Sequence, residues 1–308
     1  MKQAWPELPR PEEWQESYVT LHMWLQIAGK IRLMLSPWQN HSWGVAMYVT
    51  PRGLTTSPIP CGNLVFEIGF DFIAHRLRVT ASDGQAGEFA LQPMSVAAFH
   101  HQLFALLDAL GIEARIHGRP VEVVEAIPFA DDDVHAGYDA DAVRRVHAAL
   151  LQADRVFRRF REGFVGKMSP VHFFWGAFDL AATRFSGRTA PLHPGGAPNC
   201  ADWVMQEAYS HELASAGFWP GAGLGEAAFY AYAWPEPAGY AEARIRPDAA
   251  YYHGELREYL LPYEAVRSAR DPDAVLLEFL ESSYALAADL GGWDRAALER
   301  PVPSRLRH

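Results

Sequence analysis

The sequence predicts an α+β protein of two similar lobes, each an antiparallel sheet with helices packed against it. Three observations lead to this fold class. Apolar residues recur every three or four positions in some segments, which indicates amphipathic helices, and they alternate in others, which indicates half-buried strands. Short turn signals join neighbouring strands, as in hairpins. The chain has 308 residues, of which 49% are hydrophobic and 21% are charged, and this composition excludes a disordered protein.

The first lobe, residues 1–119, is predicted to open with a long helix. Its apolar spacing runs over residues 16–35 and stops at Ser36-Pro37, because proline cannot continue a helix. Ser95 is a good N-cap for a second helix that Gly111 closes. Alternating apolar residues predict strands at residues 45–49, 63–75, 77–81, 89–91 and 112–116.

Residues 120–140 read as a connecting segment, with Pro128 and an acidic run at residues 131–133. The second lobe, residues 141–308, follows it, although the pattern also fits one continuous domain. Its predicted helices cover residues 141–164, 169–184, 199–207 and 271–291, with a helical turn near Tyr251 and a strand at 227–234. Residues 208–217 and 258–266 are left open between helix and strand.

Charge and cysteine content narrow the functional classes. The formal net charge of −10 argues against nucleic acid and against an anionic membrane surface as partners, because both attract basic patches. No run of roughly 18 apolar residues is present for a membrane span. Cys61 and Cys200 cannot make a disulfide framework, and without a signal peptide they are expected to be reduced thiols in the cytoplasm.

The strongest candidate site is the segment from His172 to Asp179. On the predicted helix, His172, Trp175 and Asp179 share one face. Gly176 in mid-helix costs about 1 kcal/mol relative to alanine, which suggests that another group approaches closely there. Arg184 extends this row and can pair with Asp179 or hold an anionic substrate group. A structural Asp–Arg pair beside a core histidine is an equally weighted alternative.

A second candidate is His211, which a continuing helix would bring beside Glu207. With His172 and His193 it would supply three ligands, the usual number for an open catalytic zinc, iron or manganese site. The spacing matches no metal motif, so pocket histidines that act as acids or bases are the alternative. No nucleotide motif is present, because the glycines near residue 221 precede a strand and not a helix.

The aromatic content is unusual, with ten Trp, 12 Tyr and 17 Phe residues. Several tryptophans stand next to histidines, which favours an aromatic-lined cavity, within or between the lobes, that is polar at one end. His22, Gln26 and Lys30 share one face of the first helix. The predicted substrate-binding residues are His22, Trp24, Arg52, Trp175, Arg184 and Trp219.

Long motifs in both lobes resemble a bacterial family of uncharacterised proteins. They are Trp-Pro-Glu-Leu-Pro near the start, Leu-His-Met-Trp at residues 21–24, residues 48–60, His-Phe-Phe-Trp-Gly within 169–179, Arg-Phe-Ser-Gly at 184–187, His-Pro-Gly-Gly at 193–196 and residues 209–221 with Gly-Phe-Trp-Pro-Gly. The resemblance covers nearly the whole chain and implies one unit of about this length in the bacterial cytoplasm. It implies no activity, but His172, Arg184, His193 and His211 fall inside its motifs.

We therefore expect a cytoplasmic enzyme that acts on a small polar or anionic molecule. His172 or His211 would be the general base and Asp179 would orient a histidine. One alternative is a non-catalytic module that binds a small molecule or another copy of itself, and a second is a metal-dependent enzyme that uses His172, His193 and His211. The expected partner is a small-molecule ligand, with homo-oligomerisation left open.

Overall fold

The computed structural model describes residues 5–221 and 223–301. In this part of the chain, seven α-helices surround two antiparallel sheets of six strands each, which confirms the α+β class. The helices are α1 (Pro11–Leu35), α2 (Val96–Ala109), α3 (Ala140–Glu162), α4 (Asp202–Ala208), α5 (Tyr263–Arg267), α6 (Pro272–Leu290) and α7 (Arg295–Leu298). None of these helices is long and apolar enough to cross a bilayer.

The first sheet has the strand order β1-β2-β4-β5-β6, with β3 paired to β4. Its strands are β1 (Tyr48–Thr50), β2 (Gly53–Thr55), β3 (Ile59–Cys61), β4 (Leu64–Asp71), β5 (Arg76–Ala81) and β6 (Ala86–Ala90). Phe66, Ile68 and Phe70 of β4 are buried, as their alternation predicts. The strand predicted at residues 112–116 is wrong. Ile112 is buried and its N–H closes α2 on the Leu107 carbonyl, so its apolar side chain packs without a partner strand.

The second sheet has the order β7-β8-β9-β10-β12-β11. Its strands are β7 (His172–Phe174), β8 (Asp179–Thr189), β9 (His211–Trp219), β10 (Ala228–Trp234), β11 (Tyr251–His253) and β12 (Glu258–Pro262). Helices α3 and α6 pack against this sheet. Of the two segments left open between helix and strand, residues 208–217 lie mostly in strand β9, and residues 258–266 form strand β12 followed by helix α5. The helical turn predicted near Tyr251 is wrong, since β11 is an edge strand there, and the helix expected from Asn199 begins only at Asp202.

The helix predicted over residues 169–184 is also wrong, because this segment forms the β7–β8 hairpin. Long-range pairing decides the outcome. Strand β8 pairs with β9, and Phe173 exchanges two backbone hydrogen bonds of 2.8 Å with Met47. This exchange joins the edges of the two sheets. The Trp175 ring packs on Gly29 of α1, where a Cβ would overlap it. The hairpin turn is therefore seated on α1, within a hydrophobic core that contains residues of both lobes.

Candidate functional site

Strand β8 sends its side chains alternately to the two faces of the second sheet. Leu180, Ala182 and Arg184 point towards the face covered by α3 and α6, as the contacts of Arg184 with Phe160 and Tyr284 show. Asp179 and Thr183 point to the opposite face. We call this the open face and define it by Asp179, Thr183, Ser215, Tyr230 and Tyr232, which neighbouring strands place side by side.

Asp179 is the central group of the open face. It is only 8% exposed, and the Tyr230 hydroxyl donates a short hydrogen bond to its Oδ2. Gly217 lies opposite Tyr230 in the register, and a Cβ at this glycine would overlap the tyrosine ring. Burial raises the pKa of Asp179 to about 6, although the Tyr230 hydrogen bond opposes this change. The carboxyl group therefore exchanges its proton close to neutral pH.

Two further tyrosines extend the polar part of the open face. The Tyr209 and Tyr232 hydroxyls are hydrogen-bonded at 2.8 Å. The His193 ring stacks on Tyr209 with the centroids 4.5 Å apart, and the Trp234 ring lies 4.7 Å from His193. Tyr209 interacts electrostatically with Asp179, Glu122 and Glu258. The loop that carries His193 thus contributes an aromatic wall beside three carboxyl groups.

Glu122 reaches this site from the connecting segment. Its backbone has a φ of 58°, a left-handed conformation that costs a non-glycine residue about 1 kcal/mol or more. Its N–H bonds the Pro198 carbonyl at 2.7 Å. Its carboxylate lies on Gly176, where a Cβ would overlap Oε1. Another group therefore approaches Gly176 closely, as the sequence predicts, and this group is the Glu122 carboxylate. The backbone at Gly176 is a turn and not the predicted helix.

Glu258 of β12 is the third carboxyl group. The pKa values of Glu122 and Glu258 are both raised to about 7, first by burial and second by the charge of Asp179. Glu122 is nevertheless exposed and Glu258 is half-buried. Both carboxyl groups therefore keep surface that a ligand can reach, although the protein around them disfavours their charged forms.

Residues His22 and Gln26 of α1 hold the neighbours of Asp179 and Glu122 in place. His22 Nε2–H donates to the carbonyls of Gly176, at 2.8 Å, and Trp175, at 3.0 Å. Gln26 bonds both the N–H and the carbonyl of Val121, each at 2.8 Å. Burial lowers the pKa of His22 to about 4, so the ring is neutral. His22, predicted as a ligand contact, instead positions the turn of the hairpin.

Lys30 is the third member of this row on α1, and it is only 4% exposed. No hydrogen bond or ion pair joins it to another residue within the described ranges. Its ammonium is not among the polar atoms that are sealed from solvent without a partner, so it keeps access to solvent. Burial lowers the pKa of Lys30, and the Cys200 thiol is the titratable group that acts on it. Cys200 in turn interacts electrostatically with Glu122.

His172 and His211 do not meet. His172 is fully buried on β7 opposite Ala181, and His211 lies opposite Thr189. The rings of Trp43 and His41 lie between them, with centroid distances of 6.1 Å from His172 to Trp43, 5.4 Å from Trp43 to His41 and 5.7 Å from His41 to His211. Tyr48 bonds His172 at 3.2 Å, and burial, with Arg32 and Arg161, lowers the pKa of His172 to about 3.

The predicted metal site is not formed either. His211 lies instead 5.7 Å from the ring of His41, and His193 is in the wall beside Tyr209. In the part of the chain that the structure describes, no group of three or more His, Cys, Asp or Glu residues is placed to hold a metal ion. The prediction that His172, His193 and His211 together bind zinc, iron or manganese is therefore wrong.

The predicted pair of Asp179 and Arg184 is wrong because the two side chains lie on opposite faces of the sheet. Arg184 is 1% exposed, lies 3.5 Å over the Phe160 ring and pairs with Glu281 at 3.3 Å. It therefore cannot hold a substrate on the open face.

The other predicted binding residues are separated. Trp24 stacks on Phe99 at 4.8 Å in the core, and Arg52 pairs with Asp71 at 2.6 Å in the first lobe. Trp175 donates to the Val45 carbonyl at 2.8 Å. Trp219, half-buried at the end of β9, interacts with Tyr18, which also interacts electrostatically with Asp179, so Trp219 lies near the site.

The model of one family, described as a family of unknown function (DUF5996), matches residues 5–300. The chain belongs to this family. The match confirms the resemblance to a family without an assigned activity. No curated protein and no solved structure matches the chain. For this member of DUF5996, the chemistry of the site is thus argued from its own geometry.

Sequence reasoning identified Asp179 and His193 but missed Glu122, Glu258 and the three tyrosines. Two signals were present. One is a single carboxylate in an apolar stretch, Pro-Val-Glu-Val-Val at residues 120–124, and the other is the Tyr-Ala-Tyr alternation at 230–232. What the arrangement offers chemically is a carboxyl group that gains or loses a proton near neutral pH, next to phenolic donors and two further carboxyl groups.

Proposed function

We propose that this protein is an enzyme that acts on a small polar molecule bound on the open face, with Asp179 as its general acid–base group. One observation carries the proposal. Asp179 is more than nine-tenths buried, is oriented by Tyr230 and has a pKa raised to about 6. A carboxyl group with these properties is suited to proton transfer at neutral pH.

The surroundings of Asp179 support a binding site rather than a core ion pair. Among the described residues, Tyr230 is the one side chain that bonds this carboxyl group, through Oδ2, and Oδ1 is not sealed from solvent without a partner, so a ligand can reach it. Glu122 is held nearby in a strained backbone conformation, and such strain clusters at functional sites. Tyr230 donates a hydrogen bond to Oδ2 and so holds the carboxylate in one orientation.

The proposal differs from the expectation based on histidines. His172 is fully buried and neutral, so Asp179 takes the role of acid and base, and Arg184 gives no reason to expect an anionic substrate. We place the protein in the bacterial cytoplasm. Two free cysteines, Cys61 and Cys200, are consistent with a reducing compartment.

Thermal unfolding in the presence of small molecules tests this function. The panel contains primary amines, carboxylates, amino acids and neutral sugars, and the variants are Asp179→Asn and Asp108→Asn. Asp108 is exposed on α2 and is the matched control. We expect at least one compound class to raise the Tm of the wild type and of Asp108→Asn but not of Asp179→Asn.

Proton NMR of each binding compound after incubation separates an enzyme from a binding module. A chemical change with the wild type that Asp179→Asn does not produce supports catalysis. A panel that never distinguishes Asp179→Asn from Asp108→Asn would refute the site itself.

An exposed aromatic pair favours a second candidate function, self-association. Trp38 is 42% exposed and Trp203 is 52% exposed, and their ring centroids are 5.1 Å apart. Exposed tryptophans are enriched in protein interfaces. Light scattering of the wild type and of Trp203→Ala tests it, with a dimer that the substitution dissociates as the expected result. A wild type that is monomeric at all concentrations rejects it.

A further inference from the structure

We propose that the ligand of the open face is a zwitterion whose ammonium group binds at Asp179, in the field of Glu122 and Glu258, and whose carboxylate reaches Lys30. The inference deepens the proposed function, on which it rests, by naming the chemical class of the substrate. It combines an anionic end of the site that lacks a cation with a cationic end that lacks an anion.

The anionic end has three carboxyl groups and no counter-ion from the protein. None of the three forms a salt bridge within residues 5–221 and 223–301, whereas many surface carboxylates of this chain are paired with arginine. The partner of Asp179 is a neutral phenol. Because ionised carboxylates repel one another in a desolvated place, a bound cation would stabilise this end.

The walls of the anionic end also suit a cation. Tyr209 interacts electrostatically with all three carboxyl groups, and the rings of His193 and Trp234 lie beside it. The faces of such rings attract ammonium groups. Tyr232, bonded to Tyr209, adds a hydroxyl oxygen that can accept a hydrogen bond.

The cationic end is Lys30. Lys30 is only 4% exposed, and it has no hydrogen bond or salt bridge in the described ranges. A largely buried charge without a partner is costly even where its end reaches solvent, so an anion supplied by the ligand would stabilise this ammonium. Cys200 interacts electrostatically with both Lys30 and Glu122, so the thiol lies near both ends.

The two ends are well separated along α1. His22 bonds the carbonyl of Gly176, on which Glu122 lies, and Lys30 comes eight residues later, about 12 Å along a helix axis. The two charges of an α-amino acid are attached to one carbon and cannot span such a site. The expected class is an amino acid whose amine and carboxylate are several bonds apart.

Calorimetric titration with three matched probes tests the proposal: 6-aminohexanoate, hexylamine and hexanoate. For the wild type we expect 6-aminohexanoate to bind at least tenfold more tightly than either probe with a single charge. For Lys30→Met we expect 6-aminohexanoate and hexylamine to bind equally. For Asp179→Asn we expect the binding of both amines to be lost. Lys167→Met is the matched control and should behave as the wild type does.

The wild-type comparison requires no substitution, so a variant that fails to fold leaves the test intact. Hexanoate binding as tightly as 6-aminohexanoate overturns the proposal, and so does a Lys30→Met variant that keeps the preference for the zwitterion. Binding of an anion or a sugar that Asp179→Asn abolishes would reject the zwitterion but leave the proposed function standing. If no compound distinguishes Asp179→Asn from the wild type, both fail.

Discussion

The two faces of the second sheet differ in whether their buried charged groups have partners of opposite charge. Asp179 and Arg184 are five residues apart on β8 and point to different faces. Arg184 is covered by aromatic rings and paired with Glu281, so its charge is accommodated by the fold. Asp179 has two other carboxyl groups nearby and forms no salt bridge with a residue that the structure describes. The difference indicates that the covered face serves stability, whereas the open face keeps an unfavourable arrangement that a ligand would relieve.

The largest expected effect is on the covered face. Arg184→Ala removes a buried side chain and leaves a cavity between Phe160 and Tyr284, so we expect the free energy of unfolding to fall by about 4 kcal/mol. Urea denaturation measures it. Arg188→Ala removes an arginine whose side chain is half exposed, and should cost less than about 1 kcal/mol. If Arg184→Ala and Arg188→Ala lower the free energy of unfolding equally, the covered face does not have the special role in stability that we assign to it.

A smaller effect is expected where α1 supports the open face. Gln26→Ala removes a buried side chain and leaves the partly buried N–H and carbonyl of Val121 without this partner, so the free energy of unfolding should fall by about 3 kcal/mol. Gln102→Ala, in an exposed position on α2, should change it by less than about 0.5 kcal/mol. If Gln26→Ala is as mild as its control, Gln26 does not position Val121.

On the open face, removing a charge should stabilise the protein. The pKa of Asp179 is raised from 3.8 to about 6, so the folded state holds its proton more tightly than the unfolded state does. Stability is therefore lost as the pH rises from about 4 through about 6. We expect Asp179→Asn to be more stable than the wild type by about 3 kcal/mol at pH 8 and nearly equal to it at pH 3.5.

Urea denaturation at the two pH values measures this gain, with Asp108→Asn as the control that shows no pH-dependent difference. An Asp179→Asn variant that is less stable than the wild type at pH 8 would show that Asp179 contributes to the fold as Arg184 does.

The smallest effect on stability is expected for Gly176→Ala. The new Cβ would meet the end of the flexible Glu122 side chain, which can move aside at a cost below about 1 kcal/mol. Binding should suffer more, because the displaced carboxylate leaves the site, and we expect the affinity for 6-aminohexanoate to fall about tenfold. Gly118→Ala, where a Cβ has no neighbour within 4 Å, should change neither quantity. If Gly176→Ala binds 6-aminohexanoate as tightly as the wild type does, Glu122 does not contribute to the binding site.

The sequence predicts those elements well whose signals are local. The alternation in β4, the strand at residues 227–234, the Ser95 cap and the helix over residues 271–291 are confirmed. The helix prediction for residues 169–184 is wrong because the aromatic run in this segment fits a helix or a strand equally well. The pairing of the segment with β9 and Met47 decides between them, and the local sequence does not show this pairing.

The site is predicted only in part for a similar reason. Asp179 and His193 were found from their own surroundings. Glu122, Tyr230 and Glu258 come from the connecting segment and from two later strands, more than 50 residues away in each case, so no spacing relates them to Asp179. The row of His22, Gln26 and Lys30 was recognised, but its burial follows from the hairpin that packs on α1.

Carbon-13 NMR of the Asp179 carboxyl group, assigned with Asp179→Asn, tests the central claim most directly. The account predicts a pKa of about 6 in the free protein and a lower pKa when 6-aminohexanoate is bound, because an ammonium group favours the ionised carboxylate. A pKa near 3.8 that the compound leaves unchanged would contradict the account.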